Sequence, residues 1–382
     1  MSERRARDIF LVANNVEELG GVQRVAHSLA TMFVDRGHRV TVVGVQHAAT
    51  PHDYGDRPYR YVVLNDEVPP PAPRVRGVRG RVDPRVRRDQ WRHKRARKAA
   101  VDRLSAEFAT ADDGVVIVLQ VFSMQWVAPA EHAHLRVIGM SHESFDAAVA
   151  SHRYARIRTH YPDVDLFLLL TRHDADCFER EGFNNVGVMH NPLSFYSEQT
   201  SDLDGKVIVA AGRYAPEKGY DRLIDAFAAV APGHPDWSLR IFGHGPLHAQ
   251  LQEQVRWLGL EAQVDLPGLA DDIEAELRAG SIFALSSIHE GLPMALAEAM
   301  ACGLPCVAFD CAAGVREIIT DGQDGIVVQP RNVPAFAAAL RALMDDDDLR
   351  RRLGAAARLS VRRFTPEAIA AEWEDVFALV ER

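Results

Sequence analysis

Hydrophobic and polar positions switch between two periods along the whole chain. Residues 8–12 (DIFLV) are continuously apolar, and residues 22–35 then carry Val22, Val25, Ala26, Leu29 and Phe33 at helical spacing. Gly20 and Gly21 turn the chain before that stretch, Gly37 ends it, and residues 39–45 (RVTVVGV) read as a second buried strand. This strand–helix–strand unit predicts the opening of a parallel sheet. Further strands are predicted at 115–119, 136–140 and 166–170. Residues 68–90, rich in Pro, Arg and Gly, read as a long loop, and helical spacing resumes over 91–108.

Residues 191–205 (NPLSFYSEQTSDLDG) are polar and turn-rich and mark a domain boundary. A second alternating series follows, with strands near 206–211, 238–242, 263–266, 281–285, 305–309 and 325–328, helices between them and three helices at the end. The expected class is α/β, with two Rossmann-like doubly wound domains. Such sheets take their ligands at the carboxyl ends of the strands, usually between the domains.

Composition narrows the class. The 382 residues, 47% hydrophobic and 25% charged, fit two or three globular domains and exclude a disordered or fibrous chain. No uncharged apolar run approaches the roughly 18 residues of a membrane span. The basic N-terminus leads into an apolar stretch too short for a signal peptide, and four cysteines do not make a disulfide scaffold. A cytoplasmic location follows as the expectation. Residues 74–98 hold twelve Lys or Arg against Asp83 and Asp89, a local charge of +10 on a chain of net charge −9. Two readings stay open for this window: a solvated loop and helix, or a surface for a phosphate polymer, a lipid surface or a nucleic acid.

The chemistry concentrates in residues 286–305 (SSIHEGLPMALAEAMACGLP). Pro293 suits the first turn of a helix, and Leu292 before it cannot cap the free N–H groups that follow. A bare helix start next to Gly291 is suited to an anion. Glu290 lies in the loop ahead of the helix. Glu298 lies inside it among Met294, Leu296, Ala297, Ala299, Met300 and Ala301, so it is expected to be buried and to need a partner. Each residue alone reads more simply as a surface or core side chain. The case rests on their framing.

Glu290 and Glu298, framed as EGLPMALAEAMACGLP, closely resemble the signature of the retaining glycosyltransferases of family 4, which have the GT-B fold of two Rossmann-like domains facing across a cleft. Residues 212–227 (GRYAPEKGYDRLIDAF) resemble the same family's block in which an Arg and a Lys, here Arg213 and Lys218, grip the donor diphosphate. The resemblance implies backbone contacts to phosphate or sugar from Gly20 and Gly21, with Gln23 standing where the family carries a glutamate. It also implies His142 facing the transferred sugar, and Gly243 in the loop GHGP close to the nucleotide. FDCAAGVREII, from Phe309, is similar to a form found in polymer-building members and favours a UDP-sugar. Further implied are an N-terminal acceptor domain of residues 1–195 with the last helix (366–382) crossing back onto it, and a nucleotide-sugar domain of residues 196–365.

The expected reaction is transfer of a hexosyl group to an acceptor hydroxyl on a cell-envelope glycopolymer or lipid-linked glycan. Glu290, Arg213, Lys218 and His142 are the catalytic candidates. Gly20, Gly21, Gly243, Gly291, Leu292, Pro293 and Glu298 are the donor-binding ones. Two fixed cations and a helix start would stabilise the departing diphosphate without a metal. No cofactor is expected beyond the donor, and no nucleic acid. The 74–98 window would give peripheral contact with an anionic membrane at the inner face of the plasma membrane. The alternatives are a small natural-product acceptor or a non-catalytic GT-B partner subunit. Cys302, Cys306 and Cys311 do not have zinc-site spacing, and the acids at 345–348 read as a helix cap.

Overall fold

The computed structural model describes residues 5–65 and 84–381. Contacts divide the chain into two compact units, Met1–Met189 with Ala370–Arg382 and His190–Ile369. The segment after Met189 joins the second unit because the Leu193 N–H donates to the Phe364 carbonyl at 2.7 Å.

Among the described residues the first unit holds a seven-stranded parallel sheet: β1 (Asp8–Ala13), β2 (Arg39–Gln46), β3 (Arg60–Asn65), β4 (Gly114–Val118), β5 (Leu135–Ser141), β6 (Leu166–Leu169) and β7 (Val186–Val188). Their order is β3-β2-β1-β4-β5-β6-β7, so the winding reverses between β1 and β4. β3 and β7 were not expected. The three-residue β7 is too short to show a period, and β3 sits between polar stretches. The C-terminal helix Pro366–Val380 completes this core from its Ala370 onward. Trp373 is fully buried with its ring centroid 5.5 Å from Phe33, and Arg7 pairs with Glu374 at 2.9 Å.

The helix before β4 corrects the expected loop. It spans Pro84–Phe108, so residues 84–90 are helical, while 66–83, including 74–83 of the basic window, lie outside the described residues. Pro84 has the fixed φ of a first helical turn, and the Arg-rich run after it is a good helix former. The buried residues of this helix, Ala100, Leu104 and Phe108, form one stripe at four-residue spacing. Phe108 packs edge-on to Phe10 of β1, while Arg97 reaches Gln125, past the end of β4. The helix therefore runs antiparallel to the strands. At about 1.5 Å per residue, its first four turns extend beyond the carboxyl edge of the sheet. No residue from Pro84 to Ala99 is buried.

The second unit holds a six-stranded parallel sheet: β8 (Val207–Ala211), β9 (Ser238–Phe242), β10 (Val264–Gly268), β11 (Ile282–Leu285), β12 (Cys306–Phe309) and β13 (Ile326–Val328). The order is β10-β9-β8-β11-β12-β13, and the winding reverses between β8 and β11. Both strands are followed by the predicted motifs. Among the described residues no helix is long and apolar enough to cross a membrane.

Candidate active site

In the second unit the loops after β8, β9 and β11 pack backbone to backbone. Gly243 makes this possible: a Cβ there would stand 1.9 Å from the Gly212 carbonyl oxygen. Tyr214 N–H donates to the His244 carbonyl at 3.0 Å and ties the second loop to the first. Gly291 abuts Gly314 in the helix Ala313–Ile318 that follows β12.

The residues from Gly212 to Lys218 and the EGLP loop thus meet at the switch point. Lys218 Nζ lies 2.7 Å from Glu290 Oε1, across 72 positions of sequence. The Ser287 hydroxyl donates to the same carboxylate oxygen at 2.6 Å, and the Ser286 hydroxyl donates to the Lys218 carbonyl at 2.9 Å. Ile288 N–H donates to the Glu217 carbonyl at 2.8 Å, closing the two loops together. The two serines were not among the candidates. The S-x-x-E spacing of Ser287 and Glu290 is the signal that marks the first of them, since three residues allow a side chain to reach back.

Arg213 departs from the expectation of two cations converging. Its guanidinium is exposed and turns onto Glu217, 2.8 Å away. A carboxylate one position before Lys218 holds it there. The helix Met294–Ala301 begins one residue later than expected, with Pro293 as its N-cap and no side-chain cap bond. The N–H groups of its first turn therefore lack a side-chain acceptor, with Leu292 and Pro293 leading into them. Glu298 is buried within this helix, only 3% exposed.

The first unit carries the remaining candidates at its own carboxyl edge. The helix Gly21–Asp35 starts with Gly20 as N-cap and no side-chain cap bond. The Gln23 side chain is buried and folds back on Gly20, whereas a Cβ at Gly21 would meet nothing within 4 Å. His142 directly follows β5. Both its ring nitrogens are shielded from water and have no hydrogen-bond partner among the described residues. Burial pushes its pKa down to about 4, so the imidazole is neutral near pH 7.

Burial first, then nearby carboxylates, push Cys302 and Cys311 up to about 12. Asp346 accepts from the Leu349 N–H at 2.8 Å, which makes the acidic run a helix cap.

A family model described as glycosyl transferases group 1 matches residues 195–360, nearly the whole second unit. An amylovoran biosynthesis glycosyltransferase, AmsD of Erwinia amylovora, is 30% identical over 278 residues, covering 70% of this chain and 78% of that one. The chain belongs to the group 1 glycosyltransferases. An uncharacterized glycosyltransferase of Haemophilus influenzae is 23% identical over 95% of this chain and 97% of its own. An exopolysaccharide phosphotransferase of Streptomyces coelicolor is 34% identical over 72% of this chain, a region that spans only 29% of that protein. Among solved structures, a variant of S. aureus TarM with Fondaparinux, alpha-GlcNAc-glycerol and UDP superposes with a TM-score of 0.80 at 14% identity, over 98% of this chain and 100% of that one. Anabaena HepE with UDP and glucose gives 0.74 at 19% identity, over 97% and 99%. The glycosyltransferase has their GT-B fold of two Rossmann-like domains.

Proposed function

We propose that this glycosyltransferase moves a hexosyl group from a nucleotide diphosphate sugar, with UDP the favoured nucleotide, to an acceptor hydroxyl, keeping the configuration at the anomeric carbon. The observation that carries the reading is the 2.7 Å Lys218–Glu290 pair at a sheet switch point, three residues before an uncapped helix start. The bond from the anomeric carbon to the diphosphate oxygen breaks, one to the acceptor oxygen forms on the same face, and the acceptor's hydroxyl proton passes to the departing diphosphate. Lys218, with Arg213 swung off Glu217, takes up the negative charge of the departing diphosphate together with the N–H groups after Pro293. Glu290, with the backbone of Gly291 and Leu292, holds the sugar hydroxyls. Glu298 accepts from the ribose hydroxyls, and Gly243 lets the nucleotide approach the backbone. In the first unit, neutral His142 offers one N–H to the sugar, and Gly20 and Gly21 present backbone N–H groups.

The acceptor is proposed to be a cell-envelope glycopolymer or lipid-linked glycan. AmsD's place in amylovoran biosynthesis and TarM's bound alpha-GlcNAc-glycerol support that class. UDP in the TarM and HepE structures supports the nucleotide. Because protein cations neutralise the diphosphate, a chelator is expected to leave the rate unchanged. The exposed basic turns of the helix Pro84–Phe108 are proposed to rest on an anionic membrane leaflet, each Lys or Arg contributing about 1 kcal/mol.

A donor screen by mass spectrometry tests the reading. The chain is incubated with UDP-, GDP- and ADP-sugars and cell-envelope acceptors. One hexosyl mass added to an acceptor from a UDP-sugar is the expected result. No product from any donor would contradict it.

A further inference from the structure

The segment after β4, at the switch point of the first sheet, leads into the short helix Met124–Val127 and gathers arginines from two other helices. Arg97 of the helix Pro84–Phe108 donates from Nη2 to the Gln125 carbonyl at 3.0 Å, and Arg156 of the helix Arg153–His160 donates from Nη1 to Gln125 Oε1 at 3.2 Å. Two guanidinium groups are thus held on one residue. Among the described residues neither has a carboxylate within ion-pair distance. Arg153 and Arg156 also lie over the ring of Phe122, their guanidinium carbons 5.6 and 4.7 Å from its centroid. Arg153 has its acid: Glu143, the residue after His142, at 2.9 Å.

Arg97 is exposed and Arg156 half-buried, each donates to an oxygen of Gln125, and an anion between them would relieve the repulsion of like charges. The field is felt nearby. Burial first, then Arg156 and Arg97, push the His160 imidazole below its ordinary range. Two uncompensated guanidiniums match a phosphate better than a carboxylate. A phosphate group carries up to two charges and three acceptor oxygens, and arginine forks bind it with two parallel bonds.

We propose that Arg97 and Arg156, propped by Gln125 and Phe122 and linked through Arg153 and Glu143 to His142, bind a phosphate group carried by the acceptor. That this phosphate belongs to the acceptor rests on the proposed transferase function, with His142 at the transferred sugar. The phosphate belongs either to a diphosphate linking the acceptor to its carrier or to a phosphate ester within a glycopolymer.

The test is calorimetric titration of inorganic pyrophosphate into the full chain held in saturating UDP, with an R97Q/R156Q variant alongside. A second variant, R92Q/K94Q, alters only exposed turns of the basic helix. Pyrophosphate affinity at least about tenfold weaker in R97Q/R156Q, and unchanged in R92Q/K94Q, is the expected result. UDP affinity should be the same in all three proteins. Stronger binding of pyrophosphate than of glycerol 3-phosphate would assign the diphosphate source, and the reverse the ester source. Equal pyrophosphate affinity in wild type and R97Q/R156Q would overturn the site. So would R97Q/R156Q losing binding to phosphatidylglycerol vesicles while keeping it for pyrophosphate, since the pair would then be a membrane contact. Failure of the wild-type chain to bind UDP would overturn the transferase reading instead, and the pyrophosphate comparison would still decide the anion site.

Discussion

The two sheets expose their carboxyl edges in opposite chemical states. In the second unit the charged groups satisfy one another: Lys218 with Glu290, Glu290 with Ser287, Arg213 with Glu217. In the first unit Arg153 has Glu143, but other polar groups lack such partners. His142 has neither nitrogen bonded, and Arg97 and Arg156 share a glutamine without an acid. The glycines differ in the same way. Gly243 is required by the protein's own backbone, whereas the space beside Gly21 is open. A self-compensated edge can stay ordered before any ligand arrives, and under the proposed function its internal pairs would exchange partners when a diphosphate enters.

The largest expected effect breaks the compensated side. K218A or E290Q should lower kcat by roughly 10²–10³, because a fixed group aimed at developing charge is lost. Steady-state assay with the donor found by the screen checks this. A loss under threefold in both variants would mean that the pair is only structural.

The second prediction concerns the bare imidazole. The fold keeps His142 neutral down to about pH 4, while an unfolded chain protonates near 6.5. Stability should therefore fall as pH drops through that interval, by ~2–3 kcal/mol from this residue alone. In H142Q that part of the loss should vanish, seen as a shallower fall of denaturation midpoint between pH 6.5 and 4. Parallel curves would show that the nitrogens are not shielded from water.

The third sets the glycines against each other. G243A should destabilise the second unit by about 1–3 kcal/mol, since its methyl has no room. G21A should leave stability unchanged or raise it, alanine being the better helix former. It should still weaken donor turnover if a ligand approaches there. Equal melting losses in the two variants would erase the distinction drawn here.

The smallest effect is expected at Ser287. Removing its hydroxyl in S287A leaves Glu290 with Lys218 alone, and an about tenfold loss in kcat/KM is predicted. S287T should recover most of it by returning the donor. An S287A enzyme of full activity would make the serine a bystander.

What could be read in advance follows the same division. The strands after which the motifs stand were legible because β8 and β11 are continuous apolar runs ended by glycine or polar turns. Their candidate residues fall in short windows, and the resemblance of those windows to a family's blocks carried them. The direct Lys218–Glu290 contact spans 72 positions and needed the sheet order. The pairing of Arg213 with Glu217 was not legible, because local sequence does not rank such partners. In the first unit, Phe122, Arg97 and Arg156 come from three separate segments, and no spacing rule joins them. The helical start at Pro84 was hidden by an arginine-rich composition that also suits a loop.

The most direct measurement is calorimetric titration of UDP into the wild-type chain and K218A, without acceptor. The account predicts one binding site per chain in the wild type and an affinity at least about tenfold weaker in K218A. Equal affinity in the two proteins would contradict a diphosphate site at the edge of the second sheet.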